Sequence, residues 1–383
     1  MGFSLANSSL QIGLEAFGSV MLLRTLPFAS YAVLGRGQAL QMRIVPAAVL
    51  LGLGVWLDQA ELLVWCLLGL VYYTAVVAGI HWLAQAGGSL RVVEAAALFG
   101  LSFGMFLVLP GLLLPGIAAG TFLGFGWTLF LKAYSYAMEP ATRNQALRGC
   151  LFFFLVDPTI VYTQRGRRDG DSRGLRFALV RGALGSGMLL TGMAIALPAR
   201  VFLQEWSNAM DVVWSGPLVV ANGLLTLLMQ YAQQSGLASL QIGLMAAFGY
   251  RVAECYRYPL LASSPLDFWR RWNIYLGDWA RRYIHVPLAM SLARSRSFST
   301  FGPGLAAVAV FAVIGWLHDA YAWAASGQLT LLMTRFFLFN ALLVLLWHLT
   351  GNCWERRFGR GPGRFTFAFI FAAAVGAWSQ VRG

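Results

Sequence analysis

The sequence predicts an all-α fold, a polytopic membrane bundle of about ten spanning helices with two further segments that are re-entrant or interfacial. The chain of 383 residues is 58% hydrophobic and only 11% charged, whereas soluble domains carry about 25% charged residues. Its apolar runs are separated by short loops that are rich in arginine. Because backbone groups in lipid must be hydrogen-bonded internally, we expect these runs to be helices. Residues 1–383 are expected to form a single transmembrane domain.

The basic charge of the chain is explained by its topology. The net charge is +13, and Lys132 is the only lysine, so nearly all the positive charge is arginine. The arginines lie in short loops between apolar runs, as the positive-inside rule requires, and no nucleic-acid partner is expected. The preference for arginine over lysine is typical of GC-rich coding. We therefore expect a multi-pass protein of a bacterial inner membrane, in contact with membrane lipids.

In the first half of the chain, several runs reach or approach the roughly 20 residues that a spanning helix needs. These are residues 10–34, 46–57 (the shortest), 62–83, 92–109 and 117–131. Residues 151–162 are too short to span and have basic loops on both sides. A re-entrant or interfacial segment satisfies that arrangement better than a helix that crosses.

The second half of the chain continues the pattern. Residues 175–197 predict a span, and residues 212–250 predict either one span with an interfacial piece or two spans. Three further spans are predicted at residues 305–323, 329–349 and 365–378.

Between those spans lies an arginine- and tryptophan-rich stretch at residues 263–288, around which the chain is organised. Ser264 can cap a helix whose first residue is Pro265, and Asp267 follows three residues after the cap. Pro287 is expected to end this helix.

Within that predicted helix, Trp269 and Asn273 share one face, while Arg271, Tyr275 and Arg282 share another. A polar amide is thus placed among aromatic rings, with a row of cations round the side. Composition alone favours a basic amphipathic helix lying at the membrane surface.

Two motifs in this region resemble those of a known family. Residues 268–273 (FWRRWN), 279–281 (WAR) and 283–288 (YIHVPL) resemble the signature of membrane-bound O-acyltransferases, and residues 258–265 (YPLLASSP) fit its lead-in. Residues 314–319 (IGWLHD) resemble the family's second motif, an apolar segment with one intramembrane histidine. The resemblance places a motif-bearing core at residues 258–325.

His318 is the candidate catalytic base. Acyl transfer from a thioester to a hydroxyl needs a group that takes the hydroxyl proton, and a site from which water is excluded. Burial in an apolar run favours neutral imidazole, which can accept that proton. The alternative is a structural histidine that is hydrogen-bonded to a neighbouring carbonyl. Asp319 is adjacent on the helix and points about 100° away, so it is not expected to orient His318.

The resemblance gives Asn273 the second catalytic role, in which its amide orients the acyl carbonyl or stabilises the oxyanion. The alternative is a helix–helix hydrogen bond between membrane segments.

The four arginines of the first motif are candidates for binding the phosphates of acyl-CoA or of an acyl carrier. The predicted donor-binding set is Trp269, Arg270, Arg271, Trp272, Tyr275, Arg281 and Arg282. The alternatives are pairing of Asp278 with Arg281 and Arg282, and packing of the tryptophans against neighbouring helices. The four cysteines are far apart, so neither a metal nor a resident cofactor is expected, and acyl-CoA enters as a co-substrate.

The predicted function is transfer of an acyl group from acyl-CoA to a hydroxyl of a lipophilic acceptor, as in wax synthases. Asn273 and the run Leu317-His318-Asp319 resemble that subgroup. The alternative enzyme is an O-acetyltransferase of a cell-envelope polysaccharide, which residues 268–288 resemble closely. A transporter or flippase would also place polar residues at mid-depth in the membrane, although the sequence shows no internal repeat.

Overall fold

The structure is a computed structural model that describes residues 60–86, 100–110, 116–139, 145–168, 174–196, 216–247, 249–295 and 301–358, with isolated residues elsewhere. The described residues are mostly helical, as predicted, and their only strands are two-residue pieces. The predicted spans at 10–34 and 46–57, and nearly all of the one at 365–378, lie outside these residues.

Five helices lie in the first part of the described chain. They are α1 (Ala60–Ala86), α2 (Gly116–Met138), α3 (Leu147–Leu151), α4 (Gly174–Leu190) and α5 (Gly216–Ala247). Short π-helical turns follow α3 at Phe152–Val156 and α4 at Thr191–Ala196, and another, Gly104–Val108, lies within helical residues 100–110. The second predicted alternative for residues 212–250, two spans, does not occur, because α5 is a single helix of 32 residues.

Residues 151–162 form no spanning helix. The helix that starts at Leu147 ends at Val156, and the chain continues through a buried segment at 157–162 and a 3-10 turn to strand β1 (Arg167–Arg168), which pairs with β2 (Tyr250–Arg251). Lys132 of α2 fixes this turn, because its ammonium group donates to the carbonyls of Phe153, Phe154 and Asp157. Its hydrogen bonds satisfy carbonyls that the end of a helix would otherwise leave unpaired.

Helices α4 and α5 pack closely along glycines. A Cβ atom at Gly185 would lie 2.7 Å from the Gly236 carbonyl oxygen, and one at Gly236 would lie 2.8 Å from the Gly185 carbonyl oxygen. Small residues at facing positions allow two backbones to approach in this way, as is common between membrane helices.

The first-motif stretch is not the single helix that the sequence predicted. It consists of α6 (Pro265–Arg271), α7 (Ile274–Ala280), a π-helical turn at Arg281–His285 and α8 (Val286–Ala293). Two expectations were therefore wrong: the helix is interrupted at Trp272 and Asn273, and Pro287 does not end it. The chain stays helical through Pro287 because this proline lies in the first turn of α8, directly after the π turn, where a missing N–H group is tolerated.

The last two described helices are α9 (Gly302–Ser326) and α10 (Leu332–Phe358), which match the runs predicted at 305–323 and 329–349. Within the described residues, these two contain the segments that are long and apolar enough to cross a membrane, at Gly302–Ala324 and Leu332–Thr350. The count of about ten spans stays a prediction.

Candidate active site

His318 lies in the C-terminal half of α9, half-buried, with one ring nitrogen already engaged. Its Nδ1 is 2.7 Å from the carbonyl oxygen of Ile314, one turn earlier. Since a carbonyl oxygen only accepts, Nδ1 carries the hydrogen and donates it. In neutral imidazole the other nitrogen, Nε2, then has a free lone pair. A hydrogen bond to a neighbouring carbonyl was expected if His318 were purely structural. The same bond also leaves Nε2 unprotonated, which is the tautomer that a general base needs.

Aromatic rings surround the imidazole. The Trp127 ring of α2 lies 5.4 Å from the His318 ring in a T-shaped arrangement, and the Phe337 ring of α10 lies 5.1 Å from it. Phe337 also contacts Trp269 of α6, with ring centroids 5.4 Å apart. The two motifs therefore meet across one phenylalanine ring, in an apolar setting that limits access of water.

Asp319 does not orient His318, as predicted, and has a different partner. Its carboxylate oxygens accept hydrogen bonds from the backbone N–H groups of Met333 and Thr334, at 2.8 and 2.7 Å. These groups lie in the first turn of α10, where backbone donors are unpaired and a negative charge is favoured. The Asp319 side chain therefore links α9 to the first turn of α10.

Gly315 lets those two helices approach closely enough for that contact. A Cβ atom at this position would lie 2.6 Å from the Thr334 Cα atom and 3.0 Å from the Met333 carbonyl oxygen. Any side chain would push α10 away. Because Phe337 lies one turn further along α10, the close approach at Gly315 also places Phe337 against His318.

Asn273 occupies the break between α6 and α7. Its backbone is left-handed, with φ 41° and ψ 63°, a conformation that asparagine tolerates better than most residues. Its Oδ1 accepts from the Leu276 N–H at 3.3 Å and so caps α7.

The Cys255 thiol is the second group at Oδ1, 3.7 Å away. Burial raises the pKa of Cys255 to about 12, so the thiol keeps its hydrogen and donates it. With Oδ1 holding two donors, the Nδ2 group of Asn273 is left as the available donor.

His318 and Asn273 make no direct hydrogen bond among the described contacts. The connection between them passes through Trp269, which is four residues before Asn273, and Phe337, which touches both Trp269 and His318.

The predicted donor-binding residues divide into two groups. Arg270 and Arg281 are exposed, and the nearest acidic partner of Arg281 is Asp278 at 3.9 Å, which is a weak contact. Arg271 instead binds Asp267 at 2.8 Å. Arg282 binds the buried Glu139, not Asp278, with one guanidinium–carboxylate contact at 2.7 Å and a second at 3.0 Å.

The remaining members of that set face the protein. Tyr275 is buried, and its hydroxyl donates to the Ala253 carbonyl. Trp272 packs against Phe268 and Tyr256, with ring centroids 5.3 and 5.5 Å apart. Trp272 therefore packs against neighbouring side chains, which is the alternative given above for the tryptophans.

Ser264 caps α6 as predicted, accepting from the Asp267 N–H at 3.0 Å. Asp267 returns a hydrogen bond to the Ser263 N–H, also at 3.0 Å. Within the described residues, no group of three histidine, cysteine or acidic side chains is arranged to hold a metal ion.

Comparison with known proteins settles the family. The family described as membrane-bound O-acyltransferases (MBOAT) matches residues 155–374, more than half of the chain. The chain belongs to the membrane-bound O-acyltransferase family. Its membership supports a membrane enzyme over the transporter alternative.

Individual relatives match a shorter part of this MBOAT chain. The probable alginate O-acetylases AlgI of Pseudomonas putida and Azotobacter vinelandii are both 35% identical over 71 residues, 18% of this chain and 14% of theirs. The probable alginate O-acetylase AlgI of Pseudomonas fluorescens is 38% identical over 58 residues, 15% of this chain and 12% of its own. The chain thus aligns with about one-seventh of the length of these relatives.

The contacts of three residues that position the site were not identified from the sequence. The partners of Asp319, Glu139 and Cys255 are 14, 143 and 18 residues away along the chain. Glu139 lies beyond the span predicted at residues 117–131, so nothing in the sequence indicated that this carboxylate is buried.

Proposed function

We propose that this protein is an O-acyltransferase in which His318 takes the proton of a hydroxyl as that hydroxyl attacks an acyl thioester. The observation that carries the proposal is the tautomer. Nδ1–H is held by the Ile314 carbonyl, so the Nε2 lone pair is available inside an aromatic enclosure.

The reaction divides into two steps with balanced bonds and protons. The hydroxyl oxygen bonds to the carbonyl carbon, its proton passes to His318 Nε2, and the carbonyl oxygen becomes an oxyanion. The carbon–sulfur bond then breaks, and the departing thiolate takes the proton back from Nε2. Asn273 is assigned the oxyanion, because its Nδ2 group is a donor whose orientation is fixed through Oδ1.

The acyl donor is proposed to be a CoA or carrier-protein thioester, whose phosphates would meet the exposed Arg270 and Arg281. For the acceptor we place acetylation of a cell-envelope polysaccharide first, because the relatives are named probable alginate O-acetylases. Acylation of a lipophilic alcohol is the second candidate, supported by Asn273 and by the aspartate after His318, which resemble wax synthases. A multi-pass location in a bacterial inner membrane accompanies both candidates.

The test compares bacterial cells that lack the gene with cells that express the wild type, His318→Ala or His348→Ala. His348 is an exposed histidine on α10 and serves as the matched control. Ester-linked acetate is measured on purified envelope polysaccharide, and new esters are measured in lipid extracts by mass spectrometry.

We expect ester formation with the wild type and His348→Ala, and a loss of about 10²–10⁴-fold with His318→Ala. The pool that gains esters identifies the acceptor. An active His318→Ala protein would falsify the mechanism. Equal amounts of each variant in the membrane, with the same melting temperature in detergent, exclude misfolding as the cause.

A further inference from the structure

Trp269 holds a buried hydrogen-bond donor that has no acceptor. Its indole Nε1 is inaccessible to solvent and makes no hydrogen bond within the described part of the chain. Leaving such a donor unpaired costs about 1–3 kcal/mol, and most buried donors in proteins are paired. The unpaired group therefore calls for an explanation.

A second tryptophan in the same stretch shows the usual arrangement. Trp279 is buried, whereas Trp269 is half-buried with only its Nε1 atom shut off from solvent, and the Nε1 of Trp279 donates to the Leu131 carbonyl at 3.1 Å. The local packing can therefore supply an acceptor to a buried indole, and it does so ten residues after Trp269.

Trp269 lies close to both candidate catalytic residues. The Trp269 ring contacts Phe311 and Phe337, at 5.5 and 5.4 Å between centroids, and Phe337 lies against His318. The backbone carbonyl of Trp269 lies beside the first turn of α7, 3.9 Å from where a Cβ atom of Gly277 would be. The Phe337 ring thus lies between the Trp269 indole and the His318 imidazole, and Trp269 lies on the last turn of α6, just before Asn273.

We propose that the Trp269 indole N–H donates a hydrogen bond to the acyl carbonyl oxygen, and forms with Asn273 Nδ2 a two-donor oxyanion site opposite His318. This inference rests on the proposed function. The donor is unpaired in the protein alone and gains its acceptor when the thioester binds. The bond strengthens as negative charge develops on the oxygen, and such a donor accelerates the reaction.

The N–H group can be removed with little change in ring shape. β-(3-Benzothienyl)alanine, in which sulfur replaces the indole N–H, is incorporated at position 269 of the full chain, and at position 279 as the matched control. Transfer of radiolabelled acetyl from acetyl-CoA to endogenous acceptor is measured in membrane vesicles, and melting temperature is measured in detergent.

At position 269 we expect a fall in kcat of about 10²-fold, a severalfold rise in KM for acetyl-CoA from loss of the bond formed on binding, and an unchanged or higher melting temperature. At position 279 we expect a lower melting temperature with kcat close to that of the wild type. A kcat within threefold of the wild type at position 269, or a lower melting temperature there, overturns the proposal.

A second measurement does not depend on turnover. In ¹⁵N-labelled His318→Ala protein, the indole resonance that Trp269→Phe removes should move downfield when acetyl-CoA is added, while that of Trp279 stays in place. A Trp269 resonance that does not move contradicts the inference. If His318→Ala is fully active in the vesicle assay, the proposed function fails; if it is inactive while the position-269 analogue is fully active, only the inference fails.

Discussion

The two sides of the candidate site are held in different ways. His318 lies in the C-terminal half of α9, a helix of 25 residues, and its position depends on contacts with α10. Asn273 lies between two helices of seven residues each, and its amide oxygen is held by Leu276 in the following turn and by Cys255, 18 residues earlier. A base must be held at a fixed depth with one nitrogen free, and a long helix supplies that.

An oxyanion donor needs a fixed direction, which a break in the helix supplies. At a helix start, the Asn273 amide oxygen is bound by the Leu276 N–H and the Cys255 thiol, and the amide nitrogen is left to point elsewhere. In mid-helix the same side chain would have no such pair of donors. The comparison teaches that the histidine depends on packing between two long helices, whereas the asparagine depends on a left-handed backbone turn together with one distant thiol.

The largest effect is expected from breaking the contact between α9 and α10. Asp319→Ala takes two charge-assisted hydrogen bonds from the start of α10, and we expect a loss of about 3 kcal/mol in unfolding free energy together with most of the activity. Asp319→Asn should lose less, because its amide oxygen can still accept one bond. The measurement is unfolding in mixed detergent micelles. Asp278→Ala, at a partly exposed carboxylate, is the control, and an equal loss there would remove the special role of Asp319.

The next effect separates backbone from side chain at Asn273. Glycine adopts the left-handed conformation at no steric cost and is an acceptable cap, so Asn273→Gly should change stability by only a few tenths of a kcal/mol. Asn273→Ala should lose about 2 kcal/mol, from the cap and from backbone strain. Both should lower kcat by about 10²-fold. Retention of full kcat by Asn273→Gly would show that the asparagine serves only the turn.

A smaller effect concerns Arg282. Its pairing with the buried Glu139 joins the π turn to α2, and in a double-mutant cycle of Arg282→Met and Glu139→Gln we expect a coupling of about 1 kcal/mol. That figure allows for screening, since the arginine side chain is about half exposed. The Arg281–Asp278 pair is the comparison and should show almost no coupling. Equal coupling in both pairs would contradict the structural role given to Glu139.

The smallest effect is a pH dependence at the start of α6. Burial raises the pKa of Asp267, but hydrogen bonds from Arg271 and from the Ser263 N–H outweigh it, so the pKa lies below its usual value. A carboxyl with a lowered pKa stabilises the fold above its unfolded pKa of about 3.9, and this contribution is lost as pH falls through the folded value. Melting temperature measured from pH 6 down to pH 3 should fall slightly more for the wild type than for Asp267→Asn. If melting temperature fell equally with pH in the wild type and in Asp267→Asn, ionised Asp267 would not contribute to stability.

Much of the second motif could be predicted from the sequence. The apolar runs at 305–323 and 329–349 are uniform enough to mark α9 and α10, and a histidine inside such a run is conspicuous. The partner of Asp319 could not be predicted, because it is set by how α10 meets α9. Helical spacing predicted only that the Asp319 side chain points away from His318. Its contacts with Met333 and Thr334 confirm that direction.

The first motif was predicted less well, for a physical reason. Its side-chain periodicity is continuous from Ser264 to Pro287, and periodicity does not register a single residue in the left-handed conformation. Asn273 both breaks one helix and caps the next, so the spacing of its neighbours looked like that of an unbroken helix. The partner of Arg282 lies on α2, beyond what any local pattern indicates.

Under the proposed thioester chemistry, the burial of Lys132 has a consequence for the protein itself. Thioesters acylate free amines without an enzyme, and this chain has one lysine, buried at 2% exposure with its ammonium group donating to three carbonyls. No lysine side chain in the folded protein is therefore open to accidental acetylation by its own donor. The same arrangement means that an amine-directed label reaches this side chain only after the core around it has opened.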